Sequence, residues 1–159
     1  MRVEELTARF AELCARAAEH GATIGLEPCA WSNIGTLDDA LTLIQGSGAS
    51  NAGLFLDLWH LYRRQLDYER LREIEPGLIV GVQLDDAGAE IRGTLPEDCL
   101  DYRLLPGDGV ANTSQFVDTL HEIGVDAPFS VEVISSAQRA RPLAEAAIVS
   151  YQAARRVGA

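Results

Sequence analysis

Residues 55–60 read FLDLWH. An apolar run ends in the carboxylate of Asp57, and His60 follows about one helical turn later. The reading turns on whether other strands end the same way. Three more do: ATIGLE (22–27) ends in Glu27, LIVGVQL (78–84) closes near Gln83, and APFSVEV (127–133) carries Glu132 near its end. The second strand is AGLFLD (52–57). Helical patterns alternate with these strands. Val3, Leu6, Phe10, Leu13 and Ala17 share one face of a helix over 3–20, which Gly21 stops. A second helix is predicted over 36–45, with Thr36 and Asp39 as a capping pair. A third stretch is clearest over 68–74 and closes at Pro76-Gly77; further helices are predicted over 113–123 and 142–156.

Short apolar strands alternating with helices predict an α/β fold with a parallel sheet and right-handed crossovers. In such a sheet every strand's C-terminal end lies on one face, and in a β/α barrel that face holds the active site. Glu27, Asp57, Gln83 and Glu132 would then converge. Three carboxylates brought together repel one another and are costly to bury without a cation. A divalent metal resolves that conflict. The all-oxygen donor set favours magnesium or manganese over zinc or cobalt. His60 stands where it can touch a substrate oxygen or relay a proton. Arg103, in YRLLPGDG (102–109), could clamp a carboxylate, hydroxyl or phosphate. Trp31 and Trp59 are candidates for the apolar wall of a pocket, and equally for core packing.

The remaining features narrow the class. The chain has 159 residues, a length that suits one domain over 1–159, with no internal linker composition. Its formal net charge of −11 argues against a phosphate-backbone binder, which needs a basic patch, so no nucleic-acid partner is expected. Cys14, Cys29 and Cys99 have no zinc-site spacing and read as reduced thiols of a cytoplasmic protein. The start, MRVEELTARF, lacks the apolar segment of a signal peptide, and no stretch is apolar enough for a membrane span. The GSG at 46–48 follows a helix and precedes a strand, the reverse of a dinucleotide-binding turn. The segment 85–112 is longer than ordinary connections, and such loops are usually functional.

The pieces IGLEPCAWSN, GLFLDLWHLYR, VGVQLDDA, YRLLPGDG and FSVEV, in this order, resemble the C-terminal half of the sugar phosphate isomerase/epimerase family, the xylose isomerase-like TIM barrels. The resemblance covers nearly the whole chain. It implies a divalent metal held by Glu27, Asp57, Gln83 and Glu132, with Glu27 and Glu132 as the acid–base pair. It implies substrate contacts from His60 and Arg103, and a small polyol, sugar or keto-acid substrate. Epimerases of the family usually carry His where this chain has Gln83; dehydroshikimate dehydratases, a lyase branch on the same barrel, carry Gln. A complete member has eight strand–helix units against four here. A half barrel leaves two open edges and an uncovered inner face. Association with a second copy, or with a partner supplying the missing half, is therefore expected. Three functional readings stand open: a metal-dependent isomerase or epimerase, a dehydratase on the same site, and an inactive half-barrel serving as a binding or assembly module.

Overall fold

A computed structural model describes residues 2–159. Helix α1 (Val3–Ala18) leads into strand β1 (Ile24–Leu26), and α2 (Leu37–Ser47) into β2 (Ala52–Asp57). The short helix α3 (Leu58–Arg63) and two 3₁₀ turns, Tyr68–Glu73 and Pro76–Leu78, precede β3 (Ile79–Leu84). Then come α4 (Leu95–Asp101), α5 (Thr113–Glu122), β4 (Phe129–Val131), α6 (Ser136–Arg139) and α7 (Leu143–Arg156). The strands form one parallel sheet in the order β1-β2-β3-β4. This is the sequential, all-parallel arrangement of a TIM barrel, here with four of the eight strands such a barrel needs. Among the described residues, β1 pairs only with β2 and β4 only with β3, so both outer edges are open.

The two sheet faces differ in composition and in cover. Leu54, Leu56, Val82 and Leu84 are fully buried and share one core with Ala40, Ile44, Phe116, Val117 and Leu120 from the helices. The opposite face carries glycines. A Cβ at Gly81 would lie 2.2 Å from Phe55 Cε2, and one at Gly25 3.0 Å from Phe55 Cδ2. The Phe55 ring therefore lies across both positions, and only glycine leaves it room. The β2–β3 register slips between Leu54, paired with Ile79, and Phe55, paired with Gly81. This bulge takes Val80 out of the ladder. It keeps Ile79 and Val82 both in the core, and it sets Asp57 beside Gln83.

The elements follow local chemistry, with some departures from the sequence pattern. The expected pair at α2 is a full capping box: Thr36 Oγ1 accepts from Asp39 N (3.2 Å), and Asp39 Oδ2 accepts from Thr36 N (3.0 Å). The helical stretch expected after β2 breaks after one and a half turns and resumes as 3₁₀ structure, with Gln65 at φ +57° between the two pieces. The segment 85–112 contains α4, which has its own capping box: Thr94 Oγ1 accepts from Glu97 N and Glu97 Oε2 from Thr94 N. β1 and β4 each span three residues, so Glu27 and Glu132 sit one position beyond them. Glu132 N still donates to Leu84 O (3.0 Å), which continues the sheet direction through it. Among the described residues no helix is long and apolar enough to cross a membrane.

Arg63 and Asp98 tie α4 down onto α3. Asp98 Oδ2 accepts from Arg63 Nε (3.0 Å) and Nη2 (2.6 Å), and its Oδ1 accepts from Arg92 N (2.9 Å), with both side chains buried. Removing one partner strands a buried charge. Asp98→Ala is expected to cost about 3–5 kcal/mol in urea-induced unfolding. A loss within experimental error would show that this pair does not hold the segment.

Candidate metal centre

The strand ends build the site from the backbone outward. Asp57 closes β2 and also caps α3: its Oδ1 accepts from His60 N (3.1 Å). One carboxylate thus fixes where the strand stops and where His60 begins. His60 is then pinned by its ring. Ala30 N donates to Nδ1 (3.2 Å), so Nδ1 is the acceptor nitrogen and the proton sits on Nε2. That N–H faces Glu27 Oε1 at 3.5 Å. Arg103 Nη2 lies 3.3 Å from the same nitrogen. Two donors cannot bond to each other, so this last approach is a packing contact. Trp31 and Trp59 meet the imidazole edge-on, at 4.9 and 5.2 Å between ring centres.

Arg103 stands at the centre. Its Nη1 donates to Asp57 Oδ2 (2.5 Å) and Asp85 Oδ2 (2.7 Å), and reaches Glu132 Oε2 and the Glu132 carbonyl at 3.3 Å. Nη2 contacts Cys99 Sγ (2.9 Å), and the guanidinium lies 5.5 Å from the centre of the Trp59 ring. Sequence reasoning placed Arg103 over a substrate. In the structure its guanidinium faces the chain's own carboxylates and is almost completely buried.

Glu27, Asp57 and His60 bring ligand-type atoms within 4.8 Å of one another. Glu132 joins them through Arg103. Gln83 sits next to Asp57 in register, and its Oε1 is buried without a partner. A buried amide oxygen with nothing to accept from is costly, and a cation would satisfy it. Together with the Glu27 and Asp57 carboxylates, this donor chemistry fits a hard divalent ion. His60 fits less well as a ligand, because its outward nitrogen carries the proton.

Asp85 was missed in the sequence, although VQLDD carries the signal: positions 81, 83 and 85 continue one face of β3. Its neighbour Asp86 organises the loop bearing the PGDG turn. It accepts from Ala87 N (2.8 Å), Ala111 N (2.8 Å), Gly107 N (3.1 Å) and Thr113 Oγ1 (2.8 Å). Its backbone also exchanges both hydrogen bonds with Leu104, next to Arg103.

Similarity to known proteins places the chain in a family. A family model described as xylose isomerase-like TIM barrel matches residues 2–152. The chain belongs to the xylose isomerase-like TIM barrel family. Over 132 residues it is 30% identical to a 3-dehydroshikimate dehydratase of Pseudomonas aeruginosa, covering 82% of this chain and 21% of that protein. A 3-dehydroshikimate dehydratase of Pseudomonas putida is 28% identical over 127 residues, covering 79% and 20%. The chain thus spans about a fifth of the length of these curated relatives. Among solved structures, the IolI protein with a bound zinc atom superposes with a TM-score of 0.86 at 22% identity, over 99% of this chain and 58% of its own. An L-ribulose 3-epimerase superposes at 0.65 and 22% identity, over 96% and 56%. At these identities the structural likeness shows the fold.

The site's electrostatics within this family member follow from burial. Burial, then the charges of Asp57 and Glu132, pushes the Glu27 carboxyl from 4.5 up to about 7. Burial, then the Arg103 charge, pushes His60 down to about 3, so the ring is neutral. Burial also raises Asp57 and, together with the charge of Asp57, holds Asp85 well above the usual carboxylate range; Arg103 opposes both shifts. Burial lifts the Cys99 thiol to about 11, which keeps it uncharged.

Glu27 gives a measurable consequence in metal-free protein. The folded state keeps its proton up to about 7 while the unfolded chain releases it near 4.5, so this group lowers stability as pH rises through that window. Glu27→Gln is therefore expected to gain stability relative to the parent between 4.5 and about 7, and to hold a constant difference outside it. Urea unfolding at intervals across the window, with chelator present, reads this directly. A pH-independent difference would mean that Glu27 is not perturbed.

Proposed function

We propose that this chain, as one unit over residues 1–159, is the metal-binding C-terminal half of a barrel that removes a proton next to a carbonyl and expels a β-hydroxyl as water. The observation that carries the reading is the clustering of ligand-type atoms of Glu27, Asp57 and His60, with Glu132 linked to Asp57 through Arg103 and the unpartnered Gln83 oxygen on the residue paired with Asp57. The relatives named 3-dehydroshikimate dehydratases support the lyase chemistry over this half of the fold.

Glu27, Asp57, Gln83 and Glu132 are the proposed ligands of a divalent ion, manganese or magnesium before cobalt or zinc. When bound, such an ion polarises the substrate carbonyl and stabilises the negative charge that develops on its oxygen. The residues do the rest. One of the two glutamates takes the α-proton, and the other delivers a proton to the departing hydroxyl. His60, neutral and fixed by Ala30, offers its Nε2–H to a substrate oxygen. Arg103, bonded to Asp57 and Glu132, holds these carboxylates in place. The substrate class is a small polyol, sugar or keto acid.

A second reading, epimerisation, has its own support. Glu27 follows β1 and Glu132 follows β4, the two outer strands of the sheet. A substrate over the middle strands lies between them, so one glutamate can remove a proton and the other return it on the opposite side.

Thermal unfolding with and without manganese tests the site. A ligand at a hundred times its Kd adds about 2.7 kcal/mol, which raises Tm by roughly 5–10 °C for a chain of this size. Glu132→Gln is expected to lose most of that shift. Incubating the manganese-loaded protein with 3-dehydroshikimate in deuterated water then separates the reactions: a dehydrated, ultraviolet-absorbing product supports the lyase. Deuterium at an inverted carbon supports the epimerase. No metal shift in a cooperatively folding chain leaves the binding or assembly module as the reading.

The open edges of β1 and β4 and the exposed inner-face positions Gly25 and Ser130 motivate a partner half barrel, a second copy or a separate chain. Sedimentation at micromolar concentration is expected to show self-association. A stable monomer would count against the second-copy form.

A further inference from the structure

The cluster contains a carboxylate that the chemistry above does not use. Asp85 is fully buried, its Oδ2 lies 2.7 Å from Arg103 Nη1, and its Oδ1 is buried without a partner. The same Nη1 lies 2.5 Å from Oδ2 of Asp57, a proposed ligand, and 3.3 Å from Oε2 of Glu132, another. A fixed positive charge is thus bonded to two of the groups that would hold a divalent ion. Like charges at such separations interact strongly wherever water is excluded.

We infer that Arg103 and Asp85 are an internal ion pair that tunes the divalent-ion affinity of the Glu27–Asp57–Glu132 cluster, Arg103 weakening it and Asp85 restoring it. This rests on the divalent-ion reading above. The geometry supplies the reason for the pair. Without Arg103 the four carboxylates Glu27, Asp57, Asp85 and Glu132 have no countercharge in the metal-free protein. With Arg103 alone, the ion would compete against a bound guanidinium for the Asp57 and Glu132 oxygens. Asp85 takes part of that guanidinium's charge onto itself, and it is not one of the residues whose ligand-type atoms cluster there.

The signs of the effects separate this tuning from ordinary structural support. A residue that only shapes the site weakens metal binding whenever it is altered. Charge tuning gives opposite signs at the two positions. Arg103→Met removes the competing charge and is expected to tighten manganese binding by roughly tenfold. Asp85→Asn is nearly the same shape. It returns the full Arg103 charge to Asp57 and Glu132, and is expected to weaken manganese binding by a similar factor. The double variant removes one charge of each sign and is expected to bind close to the parent level.

Isothermal titration with manganese alone, at low ionic strength and mildly alkaline pH, measures all four proteins. Urea unfolding of the metal-free forms runs beside it. Arg103→Met leaves the carboxylates without a countercharge and is expected to be the least stable. If it does not fold, Asp85→Asn and the double variant still decide: the double must bind more tightly than Asp85→Asn. Weaker binding by a folded Arg103→Met, or equal binding by Asp85→Asn and the parent, overturns the tuning role. If the parent itself binds no manganese, the divalent-ion reading falls together with the inference. If the parent binds and only the sign pattern fails, the inference falls alone.

Discussion

The salt bridge between Arg103 and the carboxylates of Asp57 and Asp85 is the constraint around which this half barrel is arranged. Both acids are fully buried, and burial alone drives each toward its protonated form. Burial works against the guanidinium too, but the two carboxylates more than offset it, so Arg103 keeps its charge. Such a group of ions is a poor source of net stability, because desolvation consumes most of what the attraction returns. Its value is geometric. Asp57 must cap α3 through one oxygen while its other oxygen is held by Arg103, and this leaves the carboxylate a single orientation.

The loop that delivers Arg103 is accordingly built with more hydrogen bonds than its length requires. Asp86 gathers three backbone N–H groups and the Thr113 hydroxyl onto one carboxylate, and its main chain pairs with Leu104 in both directions. The PGDG turn lies within this net: Gly107 donates to Asp86, and a Cβ at Gly109 would fall 2.4 Å from the Ala87 carbonyl. The segment between β3 and α5 is therefore a structured scaffold for one guanidinium. It is not a free flap.

What the sequence made legible follows the same logic. Alternation of apolar strands with helices depends on the local period, and that is why the parallel order and the four strand-end residues could be read directly. The α4 helix carried a readable T-x-x-E capping box, but its seven residues are too few to show a helical period amid polar neighbours. Asp85 was hidden for a different reason. A DDA run looks like a solvated turn, yet both Asp85 and Asp86 are buried, and for Asp85 the sequence signal is only the continuation of β3's inward face past Leu84. Arg103 was found, but its buried carboxylate partners were only partly legible. A guanidinium on a loop can turn toward substrate or toward its own chain, and here it contacts Asp57, Asp85 and Glu132.

The open edges of the sheet and the placement of the polar cluster are separate matters physically. Barrel closure is a property of the edge strands, and β1 and β4 have backbone groups with no sheet partner among the described residues. The polar cluster draws on strand ends and on loops from the same half, each fixed by contacts inside it: His60 by Ala30, Asp57 by His60, Arg103 by Asp85. The missing strands would supply the opposite wall of the pocket and so bear on which substrate enters. They would not be needed to place the carboxylates. Ion binding and substrate choice are accordingly expected to separate in this family at the boundary between β4 and the strands that follow it around a closed barrel.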